Sequence, residues 1–346
     1  MDPLSQGLVG AAASQSFSKR NEMFAASVVG FLSGMAADLD VFIRSEHDPL
    51  LFLEYHRQFT HSIIFMPIGG LICTVIFWFF IHSFIKGSTL RFSRVYTYSL
   101  AGYATHAFLD SCTSYGTQLF WPFSPVRIAW NNVSIVDPLF TLPLLLLITT
   151  AMLKRSRAVG LFAAIYTVSY LTLGFVQENR AFQAAQQLAH SRGHLASGLS
   201  VKPSFMNLVV WKSIYEHDGH YYVDAIRVLD NKSFYSGQST AKLDIKRDFP
   251  WLDTSSQQAR DIERFRWFSD QHLAVDSKNP YRIIDMRYSM LPNQLDGLWG
   301  INLNRQANGT DHVKWTHNPN RGERLENIAR VWKMVKGVNA LPIPTF

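Results

Sequence analysis

The chain divides in two by the spacing of its charged residues. Up to about residue 176, long apolar runs are separated by short polar stretches; beyond it, charges are scattered throughout. The clearest run, Ile63 to Ile85 (IIFMPIGGLICTVIFWFFIHSFI), holds no Asp, Glu, Lys or Arg, and a helix needs about 20 such residues to cross a bilayer. Ile135 to Leu153 is interrupted only by Asp137, and Ala158 to Val176 carries no charge. Val95 to Leu109 and Phe24 to Ala37 are weaker runs but rich in Gly, Ala and Ser, residues that let helix backbones approach closely. The pattern predicts five membrane-spanning helices.

After Val176 the character changes. Of the 33 Lys and Arg residues 22 lie beyond this point, as do 17 of the 26 Asp and Glu, which marks an aqueous domain. QENRAFQAAQQLAHSRG (177–193) reads as a polar helix emerging from the last span. NLVVWKSIYEHDGHYYVDAIRVLD (207–230) has strand composition on both sides of Asp218-Gly219, a dipeptide suited to a hairpin turn. Residues 255–271 and 320–336 read as helices and 281–290 as a strand. The expected architecture is a polytopic α-helical membrane bundle of about five spans (1–176), followed by a small extracytoplasmic α+β domain (177–346).

Net charge is +7, yet the aqueous half has no basic tract interleaved with aromatics, so nucleic acid is not an expected partner. Much of the positive charge is instead a topology signal, because short cytoplasmic loops are enriched in Lys and Arg. Lys19 and Arg20 precede the first run; Lys86, Arg91 and Arg94 follow the second; Lys154, Arg155 and Arg157 follow the fourth. With alternating spans all three clusters share one side, which puts the N-terminus inside and the C-terminal domain outside. Every acid from residue 23 to 176 (Asp38, Asp40, Glu46, Asp48, Glu54, Asp110, Asp137) then falls on the outer side, as do His56, His61 and His106. Cys73 and Cys112 make neither a disulfide framework nor a thiolate zinc cluster. The first residues lack the basic segment of a signal peptide.

The outer-side residues form a constellation. Asp38-Leu39-Asp40 ends the first run, His56 and His61 lead into the second, and His106 and Asp110 sit at i and i+4 on one face of the third. Ionisable groups at membrane depth are costly and usually face a partner or cavity. Mixed imidazole and carboxylate ligation without thiolate suits a catalytic divalent ion, zinc or manganese among the candidates. Each signal alone has a plain reading. Asp38 and Asp40 suit a helix end meeting water, His56 and His61 are a loose pair among 12 histidines, and His106 with Asp110 suits a polar tie between helices. Their convergence from three elements favours a metal site. Arg57 and Arg127 are candidate cations for an anionic substrate, and plain interfacial arginines otherwise. The aromatic loop TQLFWPFSPVR (117–127) suits an interface belt. Asp137 before Pro138 reads as a helix cap, and His190 with His194 as a fraying helix end.

Together MDPLSQGLVGAA, ADLDVF (37–42), YHRQFTHS (55–62) and THAFLDSCTSYGTQLFWPFSPVR (105–127) resemble the YdjM-like family of predicted inner-membrane metal-dependent hydrolases. The family motifs fall on Asp38 and Asp40, on His56, Arg57, Thr60, His61 and Ser62, and on His106 and Asp110; Gln58 stands where the family has Gly. The resemblance implies a bacterial-type cytoplasmic (inner) membrane location and metal binding by Asp38, Asp40, His56, His61, His106 and Asp110. More distantly it implies phosphoester or lipid-ester hydrolysis, as in zinc-dependent phospholipases C, with Asp38, Asp40, His61 and Asp110 catalytic. The alternative is a non-catalytic membrane scaffold whose polar cluster is structural, the C-terminal domain binding a protein partner. A transporter would place polar groups near mid-membrane, not at one end.

Overall fold

A computed structural model describes residues 1–84, 89–229, 231–317 and 324–344. Lys86, the end of the second apolar run and the start of the helix expected at 320–336 lie outside the described residues. The helices are α1 (Pro3–Ser16), α2 (Met23–Met35), α3 (Leu51–Tyr55), α4 (Met66–Phe84), α5 (Phe92–Ser111), α6 (Pro138–Lys154), α7 (Arg157–Ser191), α8 (Ile245–Asp248), α9 (Gln257–Phe268) and α10 (Arg324–Val335). The strands are β1 (Ser197–Pro203), β2 (Val210–His217), β3 (His220–Val228), β4 (Lys232–Ala241), β5 (Leu273–Asp276), β6 (Asn279–Asp285), β7 (Trp299–Asn302), β8 (Lys314–His317) and β9 (Leu341–Pro342). The chain packs as two units, Met1–Phe42 with Tyr55–Phe175, and Ile43–Glu54 with Val176–Phe346.

Among the described residues three helical stretches are long and apolar enough to cross a membrane: Arg20–Phe42, Met66–Phe84 and Arg157–Ser191. α6 is a shorter apolar helix, and α5 is long enough at 20 residues but less apolar. Three of the five expected spans thus have the length and apolarity to cross a membrane, and the other two fall on a shorter and a less apolar helix. Asp137 accepts from the Leu139 N–H and caps α6, with Pro138 behind it.

The N-terminal segment, featureless in sequence, is α1. Pro3 opens it and Asp2 caps it by accepting the Ser5 N–H at 3.0 Å. The helix is buried nearly all round. Its polar side chains find partners: Ser5 with Thr141 at 2.6 Å, Ser14 with the Tyr98 carbonyl at 2.8 Å, Gln15 with Ser27 at 2.8 Å. Glycine sets how closely α1, α2 and α5 pack. A Cβ on Gly102 would lie 2.4 Å from the Gly30 carbonyl oxygen, and one on Gly10 would meet the same atom at 2.4 Å. This close approach draws the start of α1 and the ends of α2 and α5 onto one point.

The second unit holds two antiparallel sheets, ordered β1-β2-β3-β4-β9 and β5-β6-β7-β8. The β2–β3 hairpin turns through Asp218 (φ 47°) and Gly219 (φ 70°), both in the left-handed region that a two-residue hairpin loop requires. The 43–54 segment is fastened within this unit by Arg264, which meets Asp48 at 2.7 Å and Glu54 at 2.5 Å. His194 lies outside the end of α7 and stacks on His217, ring centroids 4.3 Å apart.

Replacing Gly102 by Ala should cost about 1–3 kcal/mol by overpacking. Thermal unfolding in detergent checks this, and an unchanged midpoint would show that the three-helix contact yields freely.

Candidate metal centre

Three short departures from regular helix bring the polar residues together. After α2 the chain tightens into a 3-10 turn, Ala36–Phe42, that carries Asp38 and Asp40. Two residues apart in such a turn, their side chains point in different directions. Arg57 adopts a left-handed backbone (φ 64°), uncommon for a non-glycine residue and held because its N–H donates to Asp40 Oδ2 at 3.0 Å. A second 3-10 turn, Phe59–His61, then aims His61 inward. His106 and Asp110, one turn apart on α5, complete the set and are fully buried.

Four atoms face one another. His61 Nε2 lies 3.4 Å from Asp38 Oδ1 and 3.4 Å from Asp110 Oδ2; His106 Nε2 lies 3.3 and 3.7 Å from the same two oxygens. All four are buried; Asp38 Oδ1 and the two Nε2 atoms lack a hydrogen-bond partner, and Asp110 Oδ2 has the Arg57 guanidinium beside it. Buried polar atoms are rarely left without a partner, and three together need a common one. Bond lengths of about 2.0–2.1 Å around a tetrahedral zinc put neighbouring ligand atoms about 3.3–3.4 Å apart. Three of the four separations match that edge, the fourth is 3.7 Å, and all exceed a normal hydrogen bond, so the donor set fits a small divalent cation.

The outer nitrogens are fixed as such a site requires. His106 Nδ1 donates to the Gly34 carbonyl at 2.6 Å. His61 Nδ1 lies 2.9 Å from Thr60 Oγ1 and 3.2 Å from Asp40 Oδ2. Both rings thus turn the Nε2 lone pair to the centre. Asp40 also takes the Thr60 hydroxyl at 2.7 Å and pairs with His56 Nδ1 at 2.7 Å. Its two oxygens are fully engaged, so Asp40 and His56 stand behind His61 while Asp38, His61, His106 and Asp110 enclose the centre. Asp38, Asp40 and His56 are close enough to form a second cation group, but the 2.7 Å contact between Asp40 and His56 is a hydrogen bond, short for two ligands of one ion.

Two neighbours of Asp110 were not legible in sequence. Gln6 Nε2 donates to its Oδ1 at 2.6 Å, and the Met1 amino group pairs with the same oxygen. Arg57, a sequence candidate for substrate, instead lies buried with Nε 2.8 Å from Asp110 Oδ2 and Nη1 3.0 Å from Thr113 Oγ1. Its guanidinium lies over Tyr115, which Arg127 also approaches at 5.5 Å. Arg127 donates to the Gly116 carbonyl at 2.9 Å and is half-buried. Burial disfavours a charged His61 ring, but Asp110, Asp38 and Asp40 outweigh this and lift its pKa to about 10. The surplus of carboxylates draws a positive charge to the centre, a proton or a metal ion.

A family model described as YdjM inner membrane protein matches residues 1–181. The chain belongs to the YdjM inner membrane protein family. It is also similar to the uncharacterized protein YfhP of Bacillus subtilis (strain 168), 24% identical over 278 residues that cover 76% of this chain and 77% of YfhP. No solved structure matches. The YdjM match covers every residue around the centre and ends within α7.

His61→Ala should abolish stoichiometric metal binding. Asp40→Asn, which leaves all four facing atoms in place, should keep the stoichiometry and weaken affinity about 10–100-fold; metal titration of the detergent-purified protein distinguishes the two. Because the cation displaces the His61 proton, apparent affinity should rise with pH from neutrality towards about 10. Proton release in unbuffered calorimetry checks this, and pH-independent binding would show that His61 is neutral before the ion arrives.

Proposed function

We propose that this YdjM-family protein is a membrane-bound, metal-dependent hydrolase acting on a phosphoester or lipid-type ester at the outer membrane interface. The observation that carries the reading is the set of four buried, mutually facing ligand atoms of Asp38, His61, His106 and Asp110. When bound, a divalent ion such as zinc or manganese lowers the pKa of water towards neutrality and polarises an ester oxygen. His61, His106 and Asp110 hold it as fixed ligands. Asp38 differs, because its side chain is 24% exposed while the others are sealed. Four protein ligands fill a tetrahedral site, and catalysis needs an open position. Asp38, the most exposed of the four, would be the carboxylate placed to leave such a position open and to accept a proton from water. Asp40 orients His61, and Arg57 holds Asp110 while Tyr115 and Arg127 border the approach.

The basic residues Lys19, Arg20, Arg91, Arg94, Lys154, Arg155 and Arg157 favour five spans with the N-terminus inside. The centre then opens to the outer leaflet, and the C-terminal unit lies outside. A second reading has one observation in its favour: a closed four-ligand set also suits a structural ion that clamps helices in a scaffold.

Protein in liposomes should release product from phosphomonoester, phosphodiester or glycerophospholipid substrates, lose activity on chelation, and regain it with zinc or manganese. Asp38→Asn should retain metal yet lose at least about 100-fold in rate, as removal of a proton acceptor does. Absence of turnover in the metal-loaded protein, with a large drop in melting temperature on chelation, would favour the scaffold.

A further inference from the structure

α10 buries Val331 and Met334, with Ile328 and Val335 half-buried beside them. Trp332 borders the same groove as Ile328, Val331 and Phe205 yet is 51% exposed, and the adjoining face carries Leu325, 84% exposed, with exposed Ala329 and Lys336 at i, i+4, i+7 and i+11. Phe205, Leu229, Val338 and Leu341 are further exposed apolar residues of this unit.

The place of α10 in the second unit is defined by α7. That helix has 35 residues, about 52 Å at 1.5 Å per residue, against about 30 Å of bilayer core. Its apolar run ends at Val176, and Gln177 and Arg180 are the next residues to bond across. Gln177 Nε2 donates to the Leu208 and Val228 carbonyls, each at 3.2 Å, and Arg180 to the Leu229 carbonyl at 2.7 Å. The same strand end receives α10, because Arg227 donates to the Val335 carbonyl and Tyr235 to the Met334 carbonyl, both at 2.9 Å. β9 joins there through Phe234 and Leu341. The exposed face of α10 thus lies at the end of the sheet where α7 leaves its apolar run. The opposite end, at Asp218, Gly219 and Lys246, is polar and exposed.

We infer that the exposed face of α10, with Phe205, Leu229, Val338 and Leu341, docks on the anionic phospholipid surface beside α7. Trp is the residue favoured at a headgroup boundary. A helix with an apolar row and basic flank binds in the interface plane, and exposed Lys333 and Lys336 supply charge complementary to anionic lipid. This surface is separate from the metal centre and does not depend on hydrolysis.

The test uses the full chain in nanodiscs of phosphatidylcholine with phosphatidylglycerol, each doped with lipid brominated near the headgroup. Subtracting the fluorescence of Trp332→Phe from wild type isolates Trp332. Its signal should be quenched by brominated lipid and shielded from acrylamide. In Lys333→Glu/Lys336→Glu, and in phosphatidylcholine alone, the lipid quenching should be largely lost. A Trp332 signal open to acrylamide and blind to brominated lipid would overturn the inference. So would shielding from both quenchers, which would mean a protein covers the face. Equal quenching without phosphatidylglycerol would overturn the assignment to anionic lipid.

Discussion

Asp38, Asp40 and Asp110 are held within a few ångströms of one another against apolar helices, and an unpaired carboxylate there is prohibitively unstable. Much of the first unit can be understood as a response to this constraint. Arg57, the Met1 amino group and Gln6 converge on Asp110; His56, Thr60 and the Arg57 N–H converge on Asp40. What these neighbours leave uncompensated is concentrated at four atoms around one point. A divalent cation there would offset negative charge and give these atoms a common partner.

Close helix packing makes the convergence possible. Gly10, Gly30 and Gly102 let three backbones meet where side chains would hold them apart. The ligands then come from the ends of elements rather than from their middles. Asp38 and His61 lie in 3-10 turns, whose tighter winding turns their side chains towards His106 and Asp110 on the regular helix α5. His61, His106 and Asp110 are sealed, whereas Asp38, in the turn after α2, is partly exposed.

The sequence made part of this legible. Charged or imidazole groups inside apolar runs are conspicuous, so Asp38, Asp40, His56, His61, His106 and Asp110 stood out, as did the helical first half and the Asp218-Gly219 hairpin. α1 did not, because a helix buried nearly all round leaves no polar face for periodicity to reveal, and its small residues resemble a linker. Gln6 was hidden with it. The division between Asp38 and Asp40 depends on the pitch of one turn, and the inward commitment of Arg57 on its left-handed backbone; neither is encoded in residue spacing. The exposed edge of α10 was invisible for a different reason: an amphipathic pattern does not tell how much of its apolar face the fold leaves bare.

The central claim is the identity of the four facing atoms as ligands of one cation. X-ray absorption at the metal edge of zinc-loaded protein tests it most directly. The expected spectrum has a nitrogen and oxygen shell at about 2.0–2.1 Å with the scattering pattern of two imidazoles and no sulfur. A shell without imidazole scattering, or one containing sulfur at about 2.3 Å, would place the ion elsewhere and contradict the account.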